Sequence, residues 1–211
     1  MADYASLAEL KVALRITDNV DDTPLQSVLT SASRFVDQYC QRDFTVASGT
    51  ATREFVPAGR WDALPIDDAT SIVSVKIDED LDGTFSVTLG TADYQPEPVN
   101  RQVADNDWVY TRLRPIEDGY WPTWERRATV RVEATYGWPA VPEPVKTATI
   151  FQAARLFTRF DSPLGVAGFG EMGAMRVSFK MDPDVGMLLG PYRRLRSVSY
   201  THLTLPTIYS V

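Results

Sequence analysis

The sequence predicts an α+β fold: a small helical bundle with an inserted antiparallel β sub-domain. Apolar residues recur at helical spacing near both ends of the chain, whereas between about residues 52 and 136 they alternate with polar residues. The length of 211 residues fits one domain with a sub-domain. We therefore expect a single domain over residues 1–197. Its helices are predicted at about 6–16, 23–41, 144–160 and 183–190.

The first two helices are predicted from capping residues that precede apolar stripes. Ser6 and Glu9 have the spacing of a capping box at the start of the first helix. For the second helix, Thr23 is expected to cap, Pro24 to take the first helical position and Gln26 to close the box. The stripe that follows contains Leu25, Val28, Leu29, Ala32, Val36 and Tyr39.

The β sub-domain is predicted from a change to a two-residue period. A β-branched run at residues 72–77 is followed by Asp82-Gly83, which is typical of a hairpin turn, and then by alternation over residues 85–89. Residues 108–114 and 130–136 also alternate, so we expect two further antiparallel strands.

A third helix is expected to begin at Pro142-Glu143-Pro144 and to reach about Phe160. Its apolar residues surround most of its circumference, so it must be buried on several sides. Two interpretations stay open, a helix at the centre of one monomer and a helix partly covered by a neighbouring subunit. Asp182-Pro183 then predicts the short last helix.

Two short motifs resemble ligand sites but lack the required context. Residues 168–173 match G-x-G-x-x-G, yet no strand precedes them and a strand-like segment follows, so a mobile glycine loop is favoured over nucleotide binding. Residues 78–83 match the first half of a calcium loop, but position twelve is Leu89 and the flanks are strands. A solvated hairpin turn is therefore favoured there.

The residues of common catalytic and metal sites are scarce. The chain has one cysteine, Cys40, and one histidine, His202, so neither a zinc site nor a histidine-activated nucleophile is expected. Cys40 is predicted to be a small buried residue. The pairs Asp67-Asp68 and Glu117-Asp118 are interpreted as solvated loop residues rather than acid–base groups. We therefore expect no enzyme and no cofactor.

Charge and hydropathy restrict the partners. The formal net charge of −7 opposes tight nucleic-acid binding over a large face, although DNA can pass along such a surface without sticking. No apolar run approaches the roughly 20 residues of a membrane helix, so no membrane contact is expected. Tyr120, Trp121, Trp124 and Trp138 are interpreted as packing over the sheet edge in preference to forming a binding surface.

The last residues, 198–211, resemble a translated transposase-type sequencing adapter. We interpret them as a non-native tail, the alternative being a genuine disordered terminus. The native C-terminal segment is then expected to be cut off near Arg196 or Ser197, and His202 is expected to belong to the non-native tail.

The order of several segments resembles the phage head–tail connector (adaptor) proteins, in the longer form found in phages with actinobacterial hosts. The resemblance covers about residues 5 to 196. It rests on residues 7–16 with the helix over 25–39, residues 80–84 with 92–94, residues 135–143 with the helix over 145–160, and residues 161–170, 182–185 and 191–194.

The resemblance implies a structural virion protein at the head–tail junction, assembled in the host cytoplasm. Such proteins form a ring, typically a dodecamer, under the portal protein; they extend the DNA channel and dock the stopper or tail-completion protein. The free protein can be monomeric, and genomic DNA passes through without specific binding. The family implies a C-terminal contact with the portal, and the expected partner-interface residues are Gly165, Phe169, Met172, Tyr192, Arg193, Arg194 and Leu195.

Two other functions stay open at this point. One is a different neck or tail-completion protein, such as a stopper or a tail terminator. The other is a metal- or nucleotide-dependent enzyme that uses residues 78–82 or the glycine loop.

Overall fold

The computed structural model describes residues 2–100, 102–103, 106–117, 119–124, 127–160, 166–167, 175–176 and 181–194. Its helices are α1 (Leu7–Leu14), α2 (Asp22–Cys40), α3 (Glu143–Phe160) and α4 (Pro183–Leu189), and a 3-10 turn covers Gly190–Tyr192. Its strands are β1 (Thr50–Phe55), β2 (Leu64–Ile77), β3 (Val87–Thr88), β4 (Tyr94–Glu97), β5 (Gln102–Val103), β6 (Asn106–Asp107), β7 (Tyr110–Pro115), β8 (Val130–Tyr136), β9 (Val166–Ala167) and β10 (Met175–Arg176). The predicted α+β fold is thereby confirmed.

The helix starts follow the sequence signals in one case and depart from them in another. At α1 the capping box is present, since the Glu9 backbone N–H donates to Ser6 Oγ and the Ser6 N–H donates to Glu9 Oε2. The predicted α2 helix is present, but its predicted cap at Thr23 was wrong, because the helix begins at Asp22 and the cap residue Asp21 makes no side-chain capping bond. Pro24 therefore occupies the third position, which it tolerates because the first N–H groups of a helix have no partner inside the helix.

A six-stranded antiparallel sheet forms most of the β sub-domain, and β5 pairs with β6 in a separate two-stranded sheet. The strand order of the six-stranded sheet is β1-β8-β2-β7-β4, and β3 pairs with β2 beside this path. The pairing register of β2 shifts twice along its partner β8, between Ala69 and Ser71 and between Ile72 and Ser74. Such bulges bend a strand, which lets the long β2 pair with β7 at one end and with β8 at the other.

The hairpin predicted around Asp82-Gly83 has a loop longer than these two residues. The hairpin between β2 and β3 exists, but its loop spans residues 78–86. The reason is Asp78, whose buried carboxylate accepts the backbone N–H groups of Asp82 and Gly83 and so stabilises a wider loop.

Three apolar clusters hold the elements together. The sheet core consists of Leu64, Ile66, Ala69, Val75, Ile77, Tyr94, Leu113, Trp121, Val130, Val132, Ala134 and Tyr136. The helical core consists of Ala5, Leu10, Leu25, Val28, Leu29, Ala32 and Ala153. The junction core, where the helices meet the sheet, consists of Tyr4, Val36, Cys40, Phe44, Val109, Trp138, Val145, Ala148, Val185, Leu189 and Tyr192.

Helix α3 is central to the chain, since it packs against α1, α2 and α4. Its buried side includes Val145, Ala148 and Ala153. Phe151 nevertheless stays 47% exposed, so this chain leaves part of the apolar circumference of α3 uncovered. The predicted glycine loop over residues 162–173 lies largely outside the described residues, apart from the short strand β9.

Candidate functional site

The C-terminal strap, defined as residues 183–194, crosses from the helices to the sheet. It begins where Asp182 caps α4 by accepting the Asp184 N–H at 3.0 Å, with Pro183 in the first helical turn as the sequence predicts. Val185, Leu189 and Tyr192 are buried in the junction core. The Arg194 backbone N–H then donates to the Cys40 carbonyl at 2.9 Å, which fastens the strap to the end of α2.

Aromatic rings form the part of the junction core that the strap covers. Tyr192 stacks on Trp108 with ring centroids 5.2 Å apart, and it meets Phe44 edge-on at 5.8 Å. Trp138 lies 5.2 Å from Phe44 and 5.4 Å from Trp108. Offset and edge-to-face pairs at such distances add to the stabilisation from burial alone.

The Asp68 carboxylate is the polar centre of this junction. It accepts hydrogen bonds from Arg42 Nη1 at 3.1 Å, Arg194 Nη2 at 2.8 Å and Trp138 Nε1 at 3.2 Å. The Asp68 side chain is only 7% exposed. One buried carboxylate therefore joins the segment after α2, strand β2, the segment after β8 and the strap; we call these groups the Asp68 clamp.

Two arginines share this single carboxylate. Burial lowers the pKa of the Arg42 guanidinium, Asp68 raises it, and the positive charge of Arg194 lowers it again. Arg194 also donates to the Ile66 carbonyl at 3.1 Å. A buried charge without a partner is costly, so removing Asp68 leaves Arg42 without a counter-charge and Arg194 with only the Asp67 carboxylate, 3.9 Å away.

A cavity of about 390 Å³ opens beside the clamp, between β1, β2 and the chain after α2. Its charged lining consists of Arg42, Arg53, Arg194, Asp43, Asp67 and Asp68. The formal charges of these six side chains cancel, so the charged lining as a whole is neutral. Among the described residues, no group of three or more His, Cys, Asp or Glu side chains could hold a metal ion.

The burial of Asp68 corrects the interpretation of Asp67-Asp68 as solvated loop residues. Both lie in strand β2, and Asp68 follows the buried Leu64 and Ile66 at alternate positions. Because alternate residues of a strand point to the same face, this parity was the available signal that Asp68 points inward. Arg42, which the sequence did not single out, is brought to Asp68 across 26 residues of sequence.

A second aromatic group lies on the surface. In this aromatic patch (Arg60, Trp61, Tyr120, Trp124 and Arg127), Trp61 is 59% and Trp124 41% exposed. Arg60 lies 4.1 Å from the Tyr120 ring and Arg127 lies 5.1 Å from the Trp124 ring. The expectation that the tryptophans pack over the sheet holds for Trp121, whereas Trp138 packs in the junction core and Trp124 stays at the surface.

Residues 4–80 match the model of the phage gp6-like head-tail connector protein family.

This match confirms the resemblance to head–tail connectors that the sequence indicates. No curated protein matches the chain. Among solved structures, the fold is similar to a chain from the neck of an empty gene transfer agent particle computed with C6 symmetry. The two sequences are 16% identical, the TM-score is 0.53, and the match covers 92% of this chain and 91% of the other. Chains from the neck of the native particle computed with C12 symmetry (TM-score 0.50) and from the native virion (TM-score 0.51) show the same identity and coverage.

The seven expected partner-interface residues fall into three groups. Tyr192 is 5% exposed in the junction core, and Arg194 is held by the Asp68 clamp. Arg193, between them, is exposed. Gly165, Phe169, Met172 and Leu195 lie outside the described residues.

Proposed function

We propose that the chain is a structural subunit of a virion neck, a head–tail connector located at the head–tail junction. It forms a ring of twelve subunits beneath the portal, extends the DNA channel and docks the stopper or tail-completion protein. The main support is similarity of fold over 92% of the chain to a neck protein, together with the connector-family match over residues 4–80. In this role the chain has no catalytic activity.

Uncovered apolar side chains on three helices support assembly with other copies. Val12 on α1 is 78% exposed, Phe151 on α3 is 47% exposed and Met187 on α4 is 76% exposed. In a ring, neighbouring subunits cover these side chains, which gains the free energy of removing apolar surface from water. The symmetry of the gene transfer agent necks is consistent with repeated contacts of this kind.

The charge of the chain suits a wall along which DNA moves. With 28 acidic and 21 basic residues the surface is acidic, and an acidic wall does not retain the phosphate backbone. Within the described residues, no helix is long and apolar enough to cross a membrane.

Electron microscopy of the purified chain mixed with the portal protein from the same genome tests the proposal. We expect an additional ring of density on one face of the portal.

Phe151→Glu should reduce ring formation without unfolding the chain, because it places a charge at the proposed contact. Val73→Glu, at a 54% exposed position on β2, is the matched control and should leave the ring intact. Failure of the unaltered chain to associate with the portal would contradict the proposal.

A further inference from the structure

The end of the strap fixes the direction of one exposed arginine. Arg193 has an extended backbone, with φ −66° and ψ 132°, so its side chain points away from those of its two neighbours. Tyr192 is buried in the junction core and Arg194 is held by Asp68. With both neighbours anchored inward, Arg193 is held outward.

Arg193 lies on a short stack of aromatic rings along α2. Its guanidinium is 5.0 Å from the centroid of the Tyr39 ring, and Tyr39 stacks on Phe35 with centroids 6.1 Å apart and an angle of 15° between the rings. Both rings are half-buried, and Arg193 makes no ion pair with any residue that the structure describes. A cation over aromatic rings, with no carboxylate of its own, is the composition of an interface hot spot.

The loop between α1 and α2 carries complementary groups. Asp18 is exposed, and its carboxylate accepts only the Val20 backbone N–H among the described contacts. Val20 is 84% exposed, and Asp21 adds a second negative charge beside it. A carboxylate next to an uncovered valine matches a guanidinium next to an aromatic ring, in both charge and apolar character.

The two surfaces lie at opposite ends of α2. From Asp22 to Tyr39 the helix is about 26 Å long at 1.5 Å per residue, so within one subunit the loop cannot reach Arg193. Two complementary surfaces at separate places on one chain are what a head-to-tail contact between identical subunits requires.

We propose that Arg193, Tyr39 and Phe35 of one subunit bind the Asp18–Val20 loop of the next subunit. Arg193 pairs with Asp18, and Val20 packs against the Tyr39 ring. This inference rests on the proposed function, since it assigns one contact of the proposed ring. The occupant is a second copy, because this acidic chain itself offers the carboxylate that the exposed arginine lacks.

A reciprocal charge exchange tests the contact. Ring formation on the portal is counted by electron microscopy for Arg193→Glu, for Asp18→Arg and for the double variant. We expect each single change to weaken assembly at least about tenfold, as for other interface arginines, and the double change to restore most of it. Arg193→Lys keeps the charge and should assemble better than Arg193→Glu.

Matched controls separate this contact from a general effect of charge. Arg112→Glu and Asp80→Lys alter exposed residues on the sheet and on the residue 78–86 loop, and both should assemble normally. Circular dichroism and thermal melting check that each variant is folded.

Normal rings from Arg193→Glu would overturn the inferred contact without contradicting the proposed ring. Loss without rescue by the double variant would also overturn it, because Arg193 would then act through a partner other than Asp18. Absence of rings from the unaltered chain would instead overturn the proposed function.

Discussion

The junction core and the aromatic patch both combine tryptophan, tyrosine and arginine, yet they differ in burial. Trp138 is 1% and Tyr192 5% exposed in the junction core, whereas Trp61 is 59% and Trp124 41% exposed in the patch. The strap covers the first group, and no described segment covers the second in this way. The comparison shows that composition alone does not decide whether an aromatic group is core or surface; a covering segment from far along the sequence decides it.

The arginines of the two regions also differ in the burial of the groups that they contact. Arg42 reaches a buried carboxylate and lies 5.7 Å from the Trp108 ring. Arg60 lies near the exposed Trp61 ring and Arg127 near the exposed Trp124 ring, where water screens their charges. We therefore expect changes in the junction core to affect folding and equivalent changes in the patch to affect it little.

The largest expected effect comes from Trp138→Ala. It removes a ring that contacts Phe44, Trp108 and Tyr192 and deletes a hydrogen bond to Asp68, so the free energy of unfolding should fall by about 4 kcal/mol. Urea denaturation followed by circular dichroism measures this. Trp124→Ala is the matched control in the aromatic patch, and an equal loss there would remove the distinction between the two regions.

Asp68→Asn should have the next largest effect, a loss of about 3 kcal/mol, because Arg42 then loses its buried counter-charge and Arg194 keeps only the Asp67 carboxylate, 3.9 Å away. Hydrogen exchange should rise first at the Arg194 amide, whose bond to Cys40 fastens the strap. Glu97→Gln removes a charge from the more exposed pair with Arg114 and should cost less than about 1 kcal/mol. Unchanged exchange at Arg194 in Asp68→Asn would show that the clamp does not hold the strap.

Local patterns predicted much of the fold but not the clamp. The α1 capping box and the buried-alternating pattern of β8 are set by neighbours in sequence, and both are present. Asp68 meets Arg194 across 126 residues, so no local pattern connects them. The start of α2 was predicted wrongly for a different reason. Thr23 fits the pattern of a cap, but Asp22 also fits the first helical turn, where a negative charge is favourable.

A smaller effect is expected for the thiol of Cys40, which lies fully buried in the junction core. Burial raises the pKa of this thiol from 9.0 to about 12. The folded state therefore holds the proton more tightly than the unfolded state, so its contribution to stability is complete below pH 9 and is lost as the pH rises towards 12.

Thiol labelling at pH 8 measures the protection of Cys40. Labelling with a thiol reagent should follow the rate of unfolding, since the reactive thiolate is scarce and inaccessible in the folded state. In Asp68→Asn, labelling should be faster if loss of the clamp opens the strap over the junction core. Rapid labelling of the unaltered chain under native conditions would show that the strap does not cover this region.

The smallest effect on folding is expected for Trp61→Phe in the aromatic patch. Trp61 is mostly exposed, and its ring meets Tyr120 edge-on at 6.3 Å, an arrangement that phenylalanine can keep. The free energy of unfolding should therefore change by no more than about 0.5 kcal/mol. Acrylamide quenching of tryptophan fluorescence should nevertheless fall clearly, because the chain loses its most exposed tryptophan among those described.

Trp138→Phe should give the opposite combination, a loss of stability with little change in the quenched fraction, since the strap shields that ring from acrylamide. If the two variants behaved alike in both measurements, covering by the strap would not be what separates the two aromatic groups.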